Sequence, residues 1–241
     1  MPRCGRKKKV ARDYLEKLNN RTRGLESYQC RLEYLFEQPV FETKTLQKGV
    51  LYYIKDGGSS DTKTAKSLLR INFATRKEEE EKEQKYQDEY IFDGVWLTHI
   101  DYQVKEVKRY QSAESGKEGE AVDVFDLAAK NFPIIGFSKA EELEKNYDIN
   151  QPVEKSEGGE KYAVLNLSPK ADSEYKDYKT IELWIDDKLN LPAKIIATNA
   201  DGDIYRVRFL EPKVNQKIDK KIFEYKIPKG FGVEIVPLKD K

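Results

Sequence analysis

Apolar positions recur along this chain at two different periods. Val10, Tyr14, Leu15 and Leu18 fall at helical spacing, which predicts an amphipathic helix over about 9–20, stopped at Gly24. From Ser27 the period becomes two. Tyr28, Cys30, Leu32, Tyr34 and Phe36 share one face of a strand, with Gln29, Arg31 and Glu33 on the other, and Pro39 ends it or leaves it at an edge. A second strand follows at about 42–54, with Gly49, Leu51 and Tyr53 on one face and Val50, Tyr52 and Ile54 on the other. Residues 55–67, "KDGGSSDTKTAKS", read as a polar loop.

Leu69, Ile71 and Phe73 open a third strand that runs into the charged stretch "RKEEEEKEQK" at 76–85, which reads as a solvated hairpin tip or a short exposed helix. Strands at about 87–92 and 95–101 flank Asp93-Gly94, a dipeptide that signals a hairpin between apolar runs. A sixth strand is predicted at about 103–111. The rhythm then breaks: "VDVFDLAAKNFPIIGF" at 122–137 is apolar and partly helical, and Ser138 with Glu141 forms a capping box for a short helix to about 146. Strands resume at about 161–167, 178–186, 191–199 and 203–211. Ile181, Leu183 and Ile185 alternate, as do Ala193, Ile195 and Ala197, and Tyr205, Val207 and Phe209 stand opposite Arg206 and Arg208. Residues 218–236 close the series with a turn and one last apolar strand.

Sequential hairpins with one dry face can form a sandwich, a closed barrel, or an open curved sheet covered by helices, and the interposed helical segments favour the last. The predicted class is mainly β with a few helices (α+β). About ten strands carry more inward apolar surface than three short helices can cover, so either a persistent apolar groove or an ordinarily packed core follows from the pattern.

Composition narrows the function. There are 44 basic and 43 acidic residues, a net charge of +1, which gives no electrostatic basis for binding nucleic acid. No apolar run is long enough to span a membrane. Two cysteines, Cys4 and Cys30, are too few for a disulfide framework or a zinc site; Cys30 reads as a small buried hydrophobe and Cys4 as an ordinary thiol in a basic tail over 1–9. His99, the only histidine, has no cysteine or second histidine at metal-ligand spacing, so neither a metal nor a cofactor is predicted. Neither 88–101 nor 218–236 carries a nucleophile, a metal-ligand cluster or a phosphate loop, and the chain reads as a binding protein rather than an enzyme. The opening "MPRCGRKKKVAR" is basic but has no apolar segment behind it, so the chain stays in the cytoplasm or an export signal precedes Met1.

The order of "SYQCRLEYLFEQ", "GVLYYIK", "LLRINF", "YIFDGVWL", "YAVLNLSPK", "LWIDDKLNLPAKIIATNADGDIYRVRF" and "IDKKIFEYKIPKGFGVEI" behind an N-terminal helix resembles the outer-membrane lipoprotein carrier proteins, the LolA-like family, over about 10–236. The resemblance implies one domain over 10–241: a half-open, curved antiparallel barrel of ten or eleven strands under a helical lid. Its apolar interior would receive the acyl chains of a lipoprotein, carried through the periplasm from an inner-membrane exporter to an outer-membrane acceptor by a monomeric protein. Combined with the alternation, it puts Leu32, Tyr34, Leu51, Tyr53, Ile71, Leu183, Ile195 and Val207 on the lipid-binding face. Leu183→Glu or Ile195→Glu is then expected to abolish acyl capture with the β-structure intact.

In the family a lysine-arginine-proline triplet after the second strand latches the lid. Ile54, Lys55 and Asp56 stand there, so Lys55 is the latch candidate, without the planar fork of arginine. Arg70 reads as decoration of the outer face and Trp96 as packing at the sheet margin. Two alternatives remain open: a lipid- or lipoprotein-sensing domain of the same fold (RseB-like), and a structural β domain with a filled core.

Overall fold

The computed structural model describes residues 3–56, 66–112, 140–171, 173 and 178–237. Among them thirteen strands and two α-helices are present, more strands than the ten or eleven expected. The fold is mainly β. The apolar stretch at 122–137, Ser138 of the capping box and most of the 55–67 loop lie outside the described residues.

Helix α1 spans Arg3–Arg23, beginning six residues before the predicted start, and ends where Gly24 N–H donates to the Asn20 carbonyl at 3.2 Å. Ala11, Leu15 and Leu18 form its buried stripe. Strand β1 is Ser27–Gln38. Pro39 cannot continue the ladder, so a 3-10 turn over Pro39–Phe41 follows, and the chain re-enters as β2, Thr43–Asp56. Strand β3 covers Lys66–Glu78 and β4 Gln84–Phe92, so the two strands extend well into the charged run and leave only 79–83 as its solvated tip. Strands β5, Trp96–Asp101, and β6, Glu106–Gln111, complete this meander.

Helix α2, Ala140–Asn146, leads into β7, Tyr147–Ile149, and β8, Val153–Glu157, two short strands that the alternation does not reveal. Three residues are too few to show a period, and β8 is exposed along its whole length. Strands β9, Glu160–Pro169, β10, Tyr178–Asp186, β11, Pro192–Asn199, and β12, Ile204–Val214, match the predicted series. The last strand, β13, Gly232–Val236, differs from expectation: it pairs parallel to β6, and Val233 and Ile235 are exposed.

The chain divides into two compact units. One comprises Met1–Gly24, Glu33–Thr45 and Ala128–Phe209; the other comprises Leu25–Leu32, Leu46–Leu127 and Leu210–Lys241. In the first, strand order is β12-β11-β10-β9-β7, with β8 also on β9; in the second it is β13-β6-β5-β4-β3-β2. β13 and β7 are end strands, so the sheet is open rather than closed into a barrel. No described helix is long and apolar enough to cross a membrane.

In the second unit one sheet face is covered by the chain's own C-terminal segment. Ile91, Ile100 and Val107 form a buried cluster against which Tyr102, Tyr225 and Phe231 pack, and Tyr102 meets Phe231 edge to face at 5.4 Å. Asn215 ties the start of that segment to β1: its Oδ1 accepts from Glu26 N–H at 2.9 Å, and its own N–H donates to the Ser27 carbonyl at 2.8 Å.

Cys30 is buried in β1, as the alternation predicts, and burial pushes its thiol from the ordinary 9.0 up to about 12. A folded-state value above the unfolded one gives stabilisation that is complete below about pH 9 and lost as the pH rises toward 12. The urea midpoint is therefore expected to fall more steeply between about pH 8 and about pH 10 in the wild type than in Cys30→Ala. Equal falls in the two proteins would remove Cys30 as the cause.

Candidate functional site

In the first unit the pleat of β9, β10, β11 and β12 places Leu165, Leu183, Ile195 and Val207 directly opposite one another, making an aliphatic row across four strands. All four side chains are 0–1% exposed. A second row, Leu167, Ile181 and Ala197, lies beside it and ends at Tyr205. The opposite face carries Lys194, Arg206 and Arg208. Arg206 Nε donates to Glu37 at 2.6 Å, and Arg208 pairs with Glu33 at 3.3 Å. Trp184 is the large ring on that charged side. Its face is covered by the ammonium groups of Lys194 at 3.6 Å and Lys155 at 4.7 Å, and its indole N–H donates to Glu182. Three of the predicted residues, Leu183, Ile195 and Val207, thus come together as one surface because a period of two aligns them on adjacent strands.

Tyr34 lies on β1, the strand next to β12. It is half-buried, and burial together with Tyr205 and Tyr178 raises its phenol well above the ordinary range. Phe36 stacks on Tyr205 at 4.9 Å, and Tyr178 meets Tyr205 edge-on at 5.8 Å, so Tyr34 belongs to an aromatic group of the first unit.

In the second unit Leu32, Leu51, Tyr53 and Ile71 are all buried. Ile71 lies between Leu69 and Phe73 on one face of β3. The Leu69 position continues across the sheet as an apolar row through Phe92 and Leu97. The Ile71 position continues instead through Tyr90 to His99, and the Phe73 position through Asp88 to Asp101 and Glu106. This face therefore turns from aliphatic to acidic over three rows.

Lys55 has an exposed side chain, and its backbone N–H donates to the Glu26 carbonyl at 2.8 Å. Trp96 is half-buried in β5 with the Arg109 guanidinium over its ring at 4.7 Å, and the Asp93 carboxylate caps the hairpin by accepting from the Val95 and Trp96 amides.

Arg70 was expected as outer-face decoration and is instead the anchor of the C-terminal segment. It does point away from Ile71, but that face is covered, so its guanidinium is 18% exposed. One nitrogen donates to the carbonyls of Ile222 at 2.6 Å and Glu224 at 3.2 Å; the other meets Glu89, 4% exposed, at 2.6 Å. An arginine between two apolar strand residues can mark a covered polar anchor as well as a wet face, and sequence alone does not separate the two.

The aliphatic rows hold no acid, base or nucleophile. What they can do chemically is remove hydrocarbon from water, at about 0.8 kcal/mol per methylene.

Comparison with protein-family models matches residues 81–226 to the outer membrane lipoprotein carrier protein LolA. Among solved structures, an uncharacterized conserved protein from Thermus thermophilus aligns with a TM-score of 0.50 and 11% identity, covering 93% of this chain and 98% of that one. MucB aligns with a TM-score of 0.51 and 16% identity over 90% of this chain; the alignment spans 62% of MucB. The Pseudomonas aeruginosa MucA/MucB complex gives 0.46 and 17% identity, covering 90% of this chain and 61% of that one. At these identities the structural likenesses show the fold alone. A search of curated proteins returns no match. The family match extends over more than half of the chain, through the hairpin at Asp93-Gly94, the aliphatic rows of β9 to β12 and the start of the C-terminal segment: the chain belongs to the outer membrane lipoprotein carrier protein LolA family.

Proposed function

We propose that this protein binds the acyl chains of lipoproteins on the apolar face of its sheet and carries them through the periplasm toward the outer membrane. The observation that carries the proposal is the uninterrupted aliphatic row Leu165, Leu183, Ile195, Val207 within the stretch that matches the carrier family. The family is one of carriers rather than enzymes. In this reading Leu183, Ile195 and Val207 contact lipid in the first unit, with Tyr34 in the aromatic group beside them, while Leu32, Leu51, Tyr53 and Ile71 supply the apolar surface of the second. Lys55 takes the place of the latch, an inner-membrane exporter and an outer-membrane acceptor are the partners, and the carrier works as a monomer.

Magnitudes shape the mechanism. Three acyl chains of roughly sixteen carbons, fully desolvated at ~0.8 kcal/mol per methylene, would exceed the practical ceiling of about 20 kcal/mol for non-covalent binding. A carrier that must release its load therefore covers only part of the lipid. The burial of the row also changes the best test. Glutamate at position 183 or 195 would bury a charge among aliphatic neighbours and endanger folding, so the uncharged Ile195→Gln is preferred. The wild type is expected to bind a fluorescent long-chain acyl probe saturably, and Ile195→Gln to weaken it at least about tenfold while its far-ultraviolet circular dichroism is retained. A wild-type protein that captures no acyl probe, and that shows a bare mass when purified from a bacterial envelope, would overturn the proposal in favour of a filled structural domain. A sensing domain of the same fold is the second reading; it retains lipid binding but passes a signal to a membrane partner instead of delivering cargo.

A further inference from the structure

Asp88 on β4 and Asp101 on β5 stand directly opposite each other in the antiparallel ladder. Two like charges at facing positions repel, and the next position across, Glu106 on β6, is acidic as well. Asp88 is also buried, at 5% exposure. Such an arrangement calls for a positive charge between the carboxylates. Arg76 is engaged over the Tyr86 ring and with Glu78 at 2.7 Å, and Lys108 is turned to Glu234 at 3.6 Å. The side chain that reaches in is His99, whose Nε2 lies 2.7 Å from Asp88 Oδ1. One donor atom each from Asp88, His99 and Asp101 lies within 4.8 Å of the other two.

The surroundings fix these groups in place. Tyr90, directly across the ladder from His99, stacks on the imidazole with centroids 4.1 Å apart and planes 8° from parallel, which holds the ring. Asp101 Oδ1 accepts from the Gln103 amide at 2.8 Å and the Val104 amide at 3.2 Å, so the turn after β5 orients its carboxylate. Support of this kind around the donor atoms is what sets the orientation of metal ligands.

We propose that Asp88, His99 and Asp101 bind a divalent first-row transition cation, one imidazole nitrogen and two carboxylate oxygens leaving the remaining positions to water. The mixed nitrogen and oxygen set suits Zn2+, which three protein ligands hold at about 2.0–2.2 Å. The cation takes the place of the hydrogen bond between His99 Nε2 and Asp88, the neutral imidazole then carrying its proton on Nδ1, and the two donor atoms move apart by roughly 0.6 Å to reach the spacing of a tetrahedral site. It joins β4 to β5 at the acidic end of the face whose other end is aliphatic. The inference does not depend on acyl binding.

His99 is the only histidine, so the imidazole nitrogen spectrum of the 15N-labelled full chain reports this one side chain. Metal-stripped protein titrated with zinc chloride near neutral pH is expected to shift the Nε2 resonance to a plateau at one equivalent, with magnesium chloride producing no such change. Asp101→Asn keeps an acceptor for the Gln103 and Val104 amides and should fold, as circular dichroism will show, but it should bind zinc about 100-fold more weakly. An Nε2 signal unchanged in excess zinc would reduce the cluster to an imidazole hydrogen-bonded to an aspartate, and Asp101→Asn binding as tightly as the wild type would place the zinc elsewhere; either result overturns the proposal.

Discussion

Gly49→Ala is expected to destabilise the protein sharply. A Cβ built on Gly49 in β2 would stand 2.2 Å from the Asn72 carbonyl oxygen, 2.8 Å from its carbon and 2.9 Å from the Phe73 Cα, all backbone atoms of β3. No rotamer change relieves a clash with main chain. One of the two strands has to shift, and both carry buried side chains, Leu51 and Tyr53 on β2 and Ile71 and Phe73 on β3. Overpacking costs about 1–3 kcal/mol and occasionally more, a large fraction of the 5–15 kcal/mol by which a typical domain is stable. Urea denaturation should show a large fall in midpoint or no cooperative transition. Gly232→Ala is the control, because nothing lies within 4 Å of a Cβ there, and it should differ little from the wild type. If Gly49→Ala melts like Gly232→Ala, the close approach of β2 and β3 is wrong.

Arg70→Met is expected to cost about 3–5 kcal/mol, the usual result of removing one partner of a buried ion pair. The loss has two parts. Glu89 keeps its contacts with Gln87 and Tyr102 but loses its counter-charge in a nearly dry position, and the carbonyls of Ile222 and Glu224 lose their donor. Adding Glu89→Leu removes the orphaned carboxylate, so the double variant should be more stable than Arg70→Met alone. A double-mutant cycle should give a coupling energy of about 2 kcal/mol or more; additive single effects would mean that the pair contributes nothing. Arg70→Met should also speed amide exchange along 220–226, because the arginine holds that segment to the sheet.

The location of Arg70 illustrates where pattern reading stops. Alternation assigns it correctly to the side of β3 opposite Ile71. It cannot say that residues more than 150 positions later cover that side. His99 is similar in kind: a two-residue turn at Asp93-Gly94 sets Phe92 opposite Val95 and Asp88 opposite His99, whereas the observed register pairs Phe92 with Leu97 and so brings Asp88 opposite Asp101 and Tyr90 opposite His99. Spacing rules for metal ligands look along one strand or helix, whereas this cluster is assembled across a ladder. Strands β7 and β8 escaped for another reason. They are short, β8 is exposed throughout, and their pairing with β9 rests on backbone groups that leave no mark on the order of side chains.

The aliphatic rows were legible because they follow from chain geometry alone. A strand turns successive side chains to opposite faces, so Ile181, Leu183 and Ile185 had to share a side, and so did Ile195 and Ala197. That period, the hairpin dipeptide and the helical spacing of Leu15 and Leu18 fixed the class of fold, the order of most elements and the identity of the apolar surface. Tertiary structure decided what a one-dimensional pattern does not contain: the parallel seat of β13 on β6, the anchoring of the C-terminal segment by Arg70, and the meeting of Asp88, His99 and Asp101. Each depends on the distance between groups far apart along the chain, and periodicity carries information only about neighbours.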